Sequence, residues 1–175
     1  MKTLRRLLAD RSATAGVEMA LVTPLLIILM FGSMELGNYF LDQHAVSKQV
    51  HDGARFASRM TLASTYNCPA MVFEDTAATT KIVNVTKTGS VDGTATGRFG
   101  SAFWTPCTTG GTAVAVTLRC VDKTLYSGVY TGLGGNIPVV KVSANVAYPS
   151  LFGAVGFSTT GLCVRAESEA AVAGL

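Results

Sequence analysis

Residues 19–39 read MALVTPLLIILMFGSMELGNY, and this apolar stretch decides the fold. Its first sixteen residues carry no charge. At about 1.5 Å per residue they form about 24 Å of helix, slightly less than the roughly 30 Å hydrocarbon core of a bilayer. Phe40 and Leu41 extend the apolar character. The stretch therefore predicts a single transmembrane helix, which we place at residues 14–41.

The composition places part of the chain in lipid or in a subunit interface. Of the 175 residues, 14% are charged and 49% are hydrophobic, whereas an average soluble domain has about 25% charged residues. The mean hydropathy is +0.38. These values argue against a freely soluble cytosolic enzyme, and they exclude disorder because disordered chains are poor in apolar residues.

The positive charge lies at the N-terminus. The chain has a net charge of +3, and residues 1–13 account for it with four basic side chains and one acidic: Lys2, Arg5, Arg6, Arg11 and Asp10. The rest of the chain is neutral and predicts no cationic surface for nucleic acid. Basic residues before an apolar helix hold that end on the cytoplasmic side of a membrane. We therefore expect a cytoplasmic N-terminus and an exported remainder.

The small residues of this region lie before the apolar helix rather than after it. A secretory signal places a small-residue cleavage site after its apolar run, but here the run ends in MELGNYFLDQH, residues 34–44. Ser12 to Gly16 precede the run instead, and Glu18 follows them. This order resembles the class III leader of type IV prepilins, whose peptidase cuts on the cytoplasmic side and leaves the helix attached.

Four spaced motifs occur in the first 57 residues. They are V-E-x-A-L around Glu18, the step Pro24-Leu25-Leu26, F-G-x-x-E-L-G over residues 31–37 and G-A-R-F-A over residues 53–57. Together they resemble the N-terminal segment of TadE-like minor pilins of the Tad (tight adherence) pilus, a type IVb system. Residues 1–13 are then the leader that prepilin peptidase removes.

The resemblance implies roles for three residues. In that family the glutamate becomes residue five of the mature chain, which implies cleavage between Ala13 and Thr14. Two positions depart from the family pattern, since Ala13 replaces the usual Gly and Met19 replaces a frequent aromatic. The resemblance also implies that Glu18 pairs with the terminal amine of a neighbouring subunit and sets the axial register.

Glu18 is informative by its position alone. A carboxylate deep in a bilayer costs up to about 3.5 kcal/mol, so such residues usually have a partner. An amine at Thr14 would lie one helical turn away. The alternative is an interfacial glutamate whose charge reaches water. Glu35 stays open between the outer interface and a neighbouring helix, and the candidates for helix packing or bending are Pro24, Gly32, Glu35, Gly37 and Gly53.

The helix is expected to continue to about Met60 as an amphipathic segment, residues 42–60. Its apolar side has helical spacing and consists of Val46, Val50, Ala54 and Ala57. Its opposite side carries His44, Lys48, His51, Arg55 and Arg59, with Asp52 placed to pair with Lys48 and Arg55. The apolar side should therefore pack under an exported head.

Residues 61–175 form this head. Alternating apolar residues predict strands from Val114 to Cys120, from Val140 to Val146 and from Leu162 to Ala166. Residues 70–85 are expected to form a short helix or a mixed segment, and the Ala-rich end of the third strand leaves a helical alternative open. The predicted fold class is α+β, with a small antiparallel sheet packed on the long helix, as in pilins.

The head contains all four cysteines, Cys68, Cys107, Cys120 and Cys163. An even number in an exported chain predicts two disulfides, with three possible connectivities. The spacings include no CxxC pair, and both histidines lie upstream beside cations, so a metal site and a catalytic cysteine are disfavoured.

Other catalytic patterns are equally weak. The segment Gly132 to Asn136 is not followed by Lys-Ser/Thr and is interpreted as a turn. Phe99, Phe103 and Trp104 are interpreted as core aromatics rather than a sugar-binding platform. No paired-carboxylate or Ser-His-Asp set can be assembled, so we expect no enzyme and no cofactor.

These observations favour a minor pilin or pseudopilin that assembles or primes a Tad-type pilus for adherence. The expected partners are prepilin peptidase, other pilins, the inner-membrane assembly platform and the lipid bilayer. The expected location is the bacterial inner membrane with a periplasmic head, with incorporation into an extracellular pilus. The alternatives are a membrane-anchored exported binding module and a type II secretion pseudopilin.

Overall fold

The computed structural model describes residues 12–68, 70–97, 99–125, 128, 130, 135–154 and 161–173. The basic side chains of the leader and most of the turn at Gly132 to Asn136 lie outside the described residues. The chain divides into an N-terminal unit, Met1–Asn38, and a second unit, Tyr39–Leu175.

Helix α1, Ser12–Ser58, provides the described part of the N-terminal unit and continues into the second. In the N-terminal unit every side chain from residue 15 to residue 31 is exposed. An 18-residue window of the helix has a mean hydropathy of 2.0 and no buried residue, so that the helix is long and apolar enough to cross a membrane. The hydroxyls of Thr23 and Ser33 donate to the carbonyls of Met19 and Met30 at 2.6 and 2.9 Å. Both polar side chains are thus satisfied within the helix, as a lipid environment requires.

The second unit is an α+β head, as the sequence predicts. After α1 come a short helix α2, Leu62–Thr65, a two-stranded hairpin of β1, Tyr66–Asn67, and β2, Val72–Phe73, and a helix α3, Ala78–Thr88. The main sheet is antiparallel in the order β3-β4-β5, with β3 at Val114–Val121, β4 at Ile137–Ala147 and β5 at Cys163–Ala171. A short helix α4, Leu151–Ala154, lies between β4 and β5.

The strands show the alternation that the sequence predicts. In β4 every second residue is buried from Val140 through Val146, and in β5 the exposed positions are Arg165, Glu167, Glu169 and Ala171. The register places Val142 between Val116 of β3 and Ser168 of β5. Strand β5 remains extended through Ala171, so the helical alternative for its Ala-rich end does not occur.

The apolar side of α1 closes the core over this sheet. Val46, Val50, Ala54 and Ala57 are at most 1% exposed, which confirms the predicted stripe. They belong to one buried cluster with Ile82 of α3 and with four valines of the sheet, Val140, Val142, Val146 and Val164. Each buried valine stabilises the fold by roughly 1.5 kcal/mol or more. The predicted polar stripe, His44, Lys48, His51, Arg55 and Arg59, is exposed.

Side chains of α1 also cover the open edge of β5. The Tyr39 hydroxyl donates to the carbonyl of Cys163 at 3.3 Å, and Gln43 Nε2 donates to the carbonyl of Arg165 at 2.6 Å. At the other end of the strand the Ala173 N–H donates to the carbonyl of Ser58 at 3.0 Å. Because an unpaired strand edge is a template for aggregation, these bonds protect the sheet as well as anchor the helix.

Three local expectations can be compared with the structure. Helix α1 ends at Ser58 rather than near Met60, although the N–H groups of Arg59 and Met60 still close turns onto Phe56 and Ala57 at 3.1 Å. Residues 70–85 form a mixed segment, which was one of the two expected alternatives, with β2 at Val72–Phe73 and a helix that begins at Ala78. In the part of the chain that the structure describes, Asp52 forms no ion pair with Lys48 or Arg55.

Tyr66 ties the hairpin to the end of α1. Its ring is 6% exposed and packs against Phe73, with 5.6 Å between the ring centroids. Its hydroxyl donates to the carbonyl of Ala57 at 2.5 Å. Burial raises the pKa of the Tyr66 phenol well above its usual range. The phenol therefore stays neutral and keeps donating throughout the physiological pH range.

The expected two disulfides are both present, and the structure selects one of the three connectivities. Cys68 pairs with Cys120, with 5.8 Å between the Cα atoms, and Cys107 pairs with Cys163 at 5.7 Å. The first bond connects the hairpin region to the end of β3. The second connects the segment before β3 to the start of β5, where Cys107 N–H also donates to the carbonyl of Asn145 at 3.2 Å.

Gly53 marks the closest approach of α1 to α3. A Cβ atom at this position would lie 2.0 Å from Thr86 Oγ1 and 3.2 Å from Thr86 Cβ. Thr86 is fully buried, and its hydroxyl donates to the carbonyl of Ile82 at 2.8 Å. The expected role of Gly53 as a bend point is therefore replaced by a packing role, since no side chain fits between the two helices.

We expect Gly53→Ala to destabilise the head. Alanine gains about 1 kcal/mol of helix propensity over glycine, but overpacking a core costs about 1–3 kcal/mol. The net change in the free energy of unfolding should be a loss of up to about 2 kcal/mol. Thr86→Ala removes Oγ1, so the double variant should lose less than the sum of the single variants. Denaturant unfolding of the detergent-solubilised full chain, followed by Trp104 fluorescence, measures both effects.

Gly37→Ala is the matched control for this prediction, because a Cβ atom there meets nothing within 4 Å on the same helix. It should leave the unfolding of the head unchanged. If Gly53→Ala instead raised stability and showed no coupling to Thr86→Ala, the close approach of α1 and α3 would be wrong.

Candidate assembly site on the N-terminal helix

The exposed surface of α1 in the N-terminal unit is almost entirely apolar. Leu21 and Ile28, for example, are 74% and 67% exposed. A surface of this kind is stable only in lipid or against other helices. The predicted transmembrane character of the segment thus agrees with a helix that buries none of these side chains within its own chain.

Glu18 lies in the second turn of α1 with its side chain exposed, between the exposed apolar residues Val17 and Met19. Thr14 precedes it by four residues in the same helix, so the two positions are neighbours on one face. Within one chain the two positions thus lie one helical turn apart, whereas the pair that the resemblance implies joins Glu18 to the terminal amine of a neighbouring subunit.

The expected cleavage point, Ala13–Thr14, lies in the first turn of α1. The side chains of both residues lie outside the described residues. A peptidase that selects small residues around the scissile bond would meet Ala13 directly before the bond and Gly16 two residues after Thr14.

The remaining candidates for helix packing are distributed along the same helix. Pro24 lies inside α1, and Cβ atoms built at Gly32 and Gly37 meet nothing within 4 Å. Glu35 is partly exposed, near the end of the N-terminal unit. Both glycines thus leave open space on the helix surface among the residues that the structure describes.

Sequence reasoning missed one feature of this surface. A shallow depression runs along the helix and is lined by Gly16, Met19, Ala20, Thr23, Pro24, Ile27 and Ile28. Gly16 and Ala20 are four residues apart, and small residues at this spacing let helix backbones approach closely in membranes. The signal was visible in the sequence as two small residues four positions apart.

The head contains no comparable chemistry in its described residues. They include no group of three or more His, Cys, Asp or Glu side chains placed to hold a metal ion. Trp104 is 6% exposed, and Phe99 stacks on Phe103 with 3.8 Å between the ring centroids. These aromatics pack on the core, as predicted.

Ion pairs lie on the outer face of the sheet. Lys141 of β4 contacts Glu167 of the neighbouring strand β5 at 2.7 Å. Arg119 of β3 reaches across β4 and contacts Glu169 of β5 at 2.9 Å. The hydrogen bond from Lys141 to Glu167 raises the pKa of the lysine. Beside α3, a hydrogen bond from Lys81 lowers the pKa of Asp75. All of these ion pairs are exposed or partly exposed to solvent, so they contribute little to stability.

Comparison with known proteins gives a family match that lies on this helix. No curated protein and no solved structure matches the chain. Residues 14–55 match the family model described as TadE-like protein. This range includes Glu18, the apolar span and three of the four residues of the stripe that packs under the head, Val46, Val50 and Ala54. The chain thus carries a TadE-like N-terminal segment, which confirms the resemblance that its motifs indicate.

Proposed function

We propose that this protein is a pilin-like minor subunit of a Tad-type pilus that assembles or primes the filament for surface adherence. The observation that carries the proposal is the TadE-like match over the exposed apolar helix. The role is structural rather than catalytic and requires no cofactor. Its partners are other pilins, the inner-membrane assembly platform and prepilin peptidase.

The membrane arrangement follows from charge and disulfides. The basic leader holds the N-terminus in the cytoplasm, and α1 spans the inner membrane once. The head is then exported, where an oxidising periplasm favours the bonds Cys68–Cys120 and Cys107–Cys163.

During assembly α1 leaves the lipid tails that surround it and packs against the helices of other subunits. Lipid tails are as apolar as the side chains of the helix, so burial alone does not drive the exchange. A polar pair in this environment decides the register, because an unpaired charge in low dielectric is costly. Glu18 of one subunit and the amine of Thr14 of the next provide that pair. The small residues Gly16 and Ala20 lie on the same stretch and allow a close approach.

Processing is the first step that the proposal requires. Cleavage between Ala13 and Thr14 creates the amine, and the TadE-like match begins at the same residue, Thr14. N-terminal sequencing of the membrane-extracted protein should give Thr14 as the first residue in cells that contain the peptidase. Cells that lack the peptidase should give the unprocessed chain.

A matched pair of leader variants sharpens this experiment. Ala13→Phe puts a bulky side chain directly before the scissile bond and should leave the chain uncleaved. Ala9→Phe makes the same change four residues upstream and should leave cleavage intact. A chain that keeps its leader in the presence of the peptidase, or efficient cleavage of Ala13→Phe, would contradict the assigned bond.

A further inference from the structure

The head exposes an apolar surface where α1 meets the start of β5. Phe40, Leu41 and Leu162 are 51%, 61% and 49% exposed. Tyr39 lies beside Leu162, because its hydroxyl donates to the carbonyl of Cys163, the residue after Leu162, and both residues line one cleft. We refer to Tyr39, Phe40, Leu162 and Arg165 as the base surface.

Aromatic rings pack against one another at this surface. The ring of Tyr39 packs edge-on against Phe40, with 6.1 Å between the centroids, and against Tyr148, with 5.2 Å. Tyr148 follows β4 directly, and its N–H donates to the carbonyl of Leu162 at 2.9 Å. Two separate segments of the head are thereby held beside the same turn of α1.

The polar rim of the base surface is cationic. An open cleft is lined by Tyr39, Gln43, Gly161, Leu162, Cys163 and Arg165. Gln43 fixes the backbone of Arg165, and Arg165 Nε donates to Asn145 Oδ1 at 3.3 Å. The side chain of Arg165 is exposed and forms no ion pair among the residues that the structure describes. Its positive charge therefore stands beside exposed leucine and aromatic side chains.

This combination matches the chemistry of a membrane interface. Tyrosine and other amphipathic aromatics concentrate at the level of the lipid headgroups, and basic side chains are attracted by anionic lipids. Along the chain, Phe40 and Leu41 directly follow the apolar stretch at residues 19–39. The base surface thus continues, on the head, the lipid-facing character of the helix.

We infer that the base surface lies in the headgroup layer of the bilayer, with Leu162 against the upper part of the acyl chains and Arg165 beside lipid phosphates. The inference rests on the proposed membrane anchoring of α1, and it adds a second contact with lipid, made by the head. Leaving the membrane for a filament then requires the head to give up this contact.

Depth-dependent fluorescence quenching tests the inference on the full chain in vesicles of phosphatidylethanolamine and phosphatidylglycerol. Leu162→Trp and Phe40→Trp report on the base surface, and lipids brominated near the headgroup act as quenchers. Both reporters should lose part of their added fluorescence, because interfacial side chains lie about 5–10 Å deep, at the boundary of headgroups and acyl chains. The wild-type signal, from buried Trp104, is the baseline.

Val91→Trp is the matched control in the head. Val91 is 40% exposed and lines a hollow with Arg59 and Met60, beyond the far end of α1. Residues 39–58 of the helix separate it from the base surface by about 28 Å. The tryptophan introduced there should remain unquenched.

Met30→Trp separates this inference from the proposed anchoring. Quenching of Met30→Trp by deeply brominated lipids, without quenching of Leu162→Trp, would overturn the inference alone, because Phe40 lies at the end of the spanning segment itself. A blue-shifted, unquenched Leu162→Trp would point to a second copy as the occupant and would also overturn it. An unquenched Met30→Trp would overturn the membrane anchoring itself.

A separate experiment tests the contact between Arg165 and lipid phosphates. Arg165→Gln, combined with Leu162→Trp, should reduce the quenching in vesicles that contain phosphatidylglycerol and leave it unchanged in purely zwitterionic vesicles. Equal quenching with and without the arginine in both kinds of vesicle would refute the contact between Arg165 and lipid phosphate.

Discussion

Glu18→Gln should leave the protein in the inner membrane and remove it from the pilus fraction. Glutamine keeps the size and the helix propensity of glutamate, and the apolar stretch that inserts into lipid is unchanged. In the proposed filament, however, the amine of Thr14 on the neighbouring subunit would lose its counter-charge in a low-dielectric environment. Breaking such a pair costs about 3–5 kcal/mol, which weakens each subunit contact by about a hundredfold to several thousandfold.

Quantifying the protein in sheared-pilus and inner-membrane fractions measures this effect. Asp52→Asn is the matched control, because it neutralises an exposed carboxylate on the same helix within the head. The control should assemble normally, and both variants should be processed at Thr14. Normal incorporation of Glu18→Gln into a normal number of pili would refute the pairing and would favour an interfacial glutamate that merely reaches water.

Removing either disulfide should produce the largest loss of stability in the head. The bonds Cys68–Cys120 and Cys107–Cys163 join residues 52 and 56 positions apart. In the chain-entropy account a loop of this size stabilises by about 4 kcal/mol, and measured values are typically about 2–4 kcal/mol. The paired replacements Cys68→Ser/Cys120→Ser and Cys107→Ser/Cys163→Ser should each lower the melting temperature by about 10 °C. Both values are large beside a typical domain stability of about 5–15 kcal/mol.

Trp104 makes this measurement possible in the detergent-solubilised full chain. Its ring is buried in the head, so its fluorescence reports unfolding there without interference from the apolar part of α1. A reducing agent should lower the melting temperature of the wild type and have no effect on a variant that lacks all four cysteines. Four reactive thiols in the native exported protein, or equal melting of all variants, would contradict the disulfides.

The sequence predicts best what is periodic and local. The spacing of Val46, Val50, Ala54 and Ala57 identified the buried side of α1, because helical geometry alone puts these residues on one face. Alternation likewise identified β3, β4 and β5, and the motifs around Glu18 identified the TadE-like segment. In each case the signal needs only a few consecutive turns or residues.

What the sequence did not predict depends on distant partners. The packing role of Gly53 requires Thr86 of another helix, 33 positions away, and it looks like an ordinary bend signal without that partner. The disulfide connectivity follows from how the hairpin and the segment before β3 lie on the sheet. The hydrogen bonds from Tyr39 and Gln43 to the edge of β5 were not predictable either. Nothing in the sequence near these two side chains indicates that they face a strand edge.

The central claim is that this chain becomes a filament subunit after the cut before Thr14. The most direct test is mass spectrometry of the N-terminal peptide of the protein recovered from sheared, purified pili. The account predicts a peptide that begins at Thr14 and contains Glu18, from a chain whose disulfides are intact. Recovery of the protein only from the inner membrane, with a chain that still begins at Met1, would contradict the claim and would favour a membrane-anchored binding module.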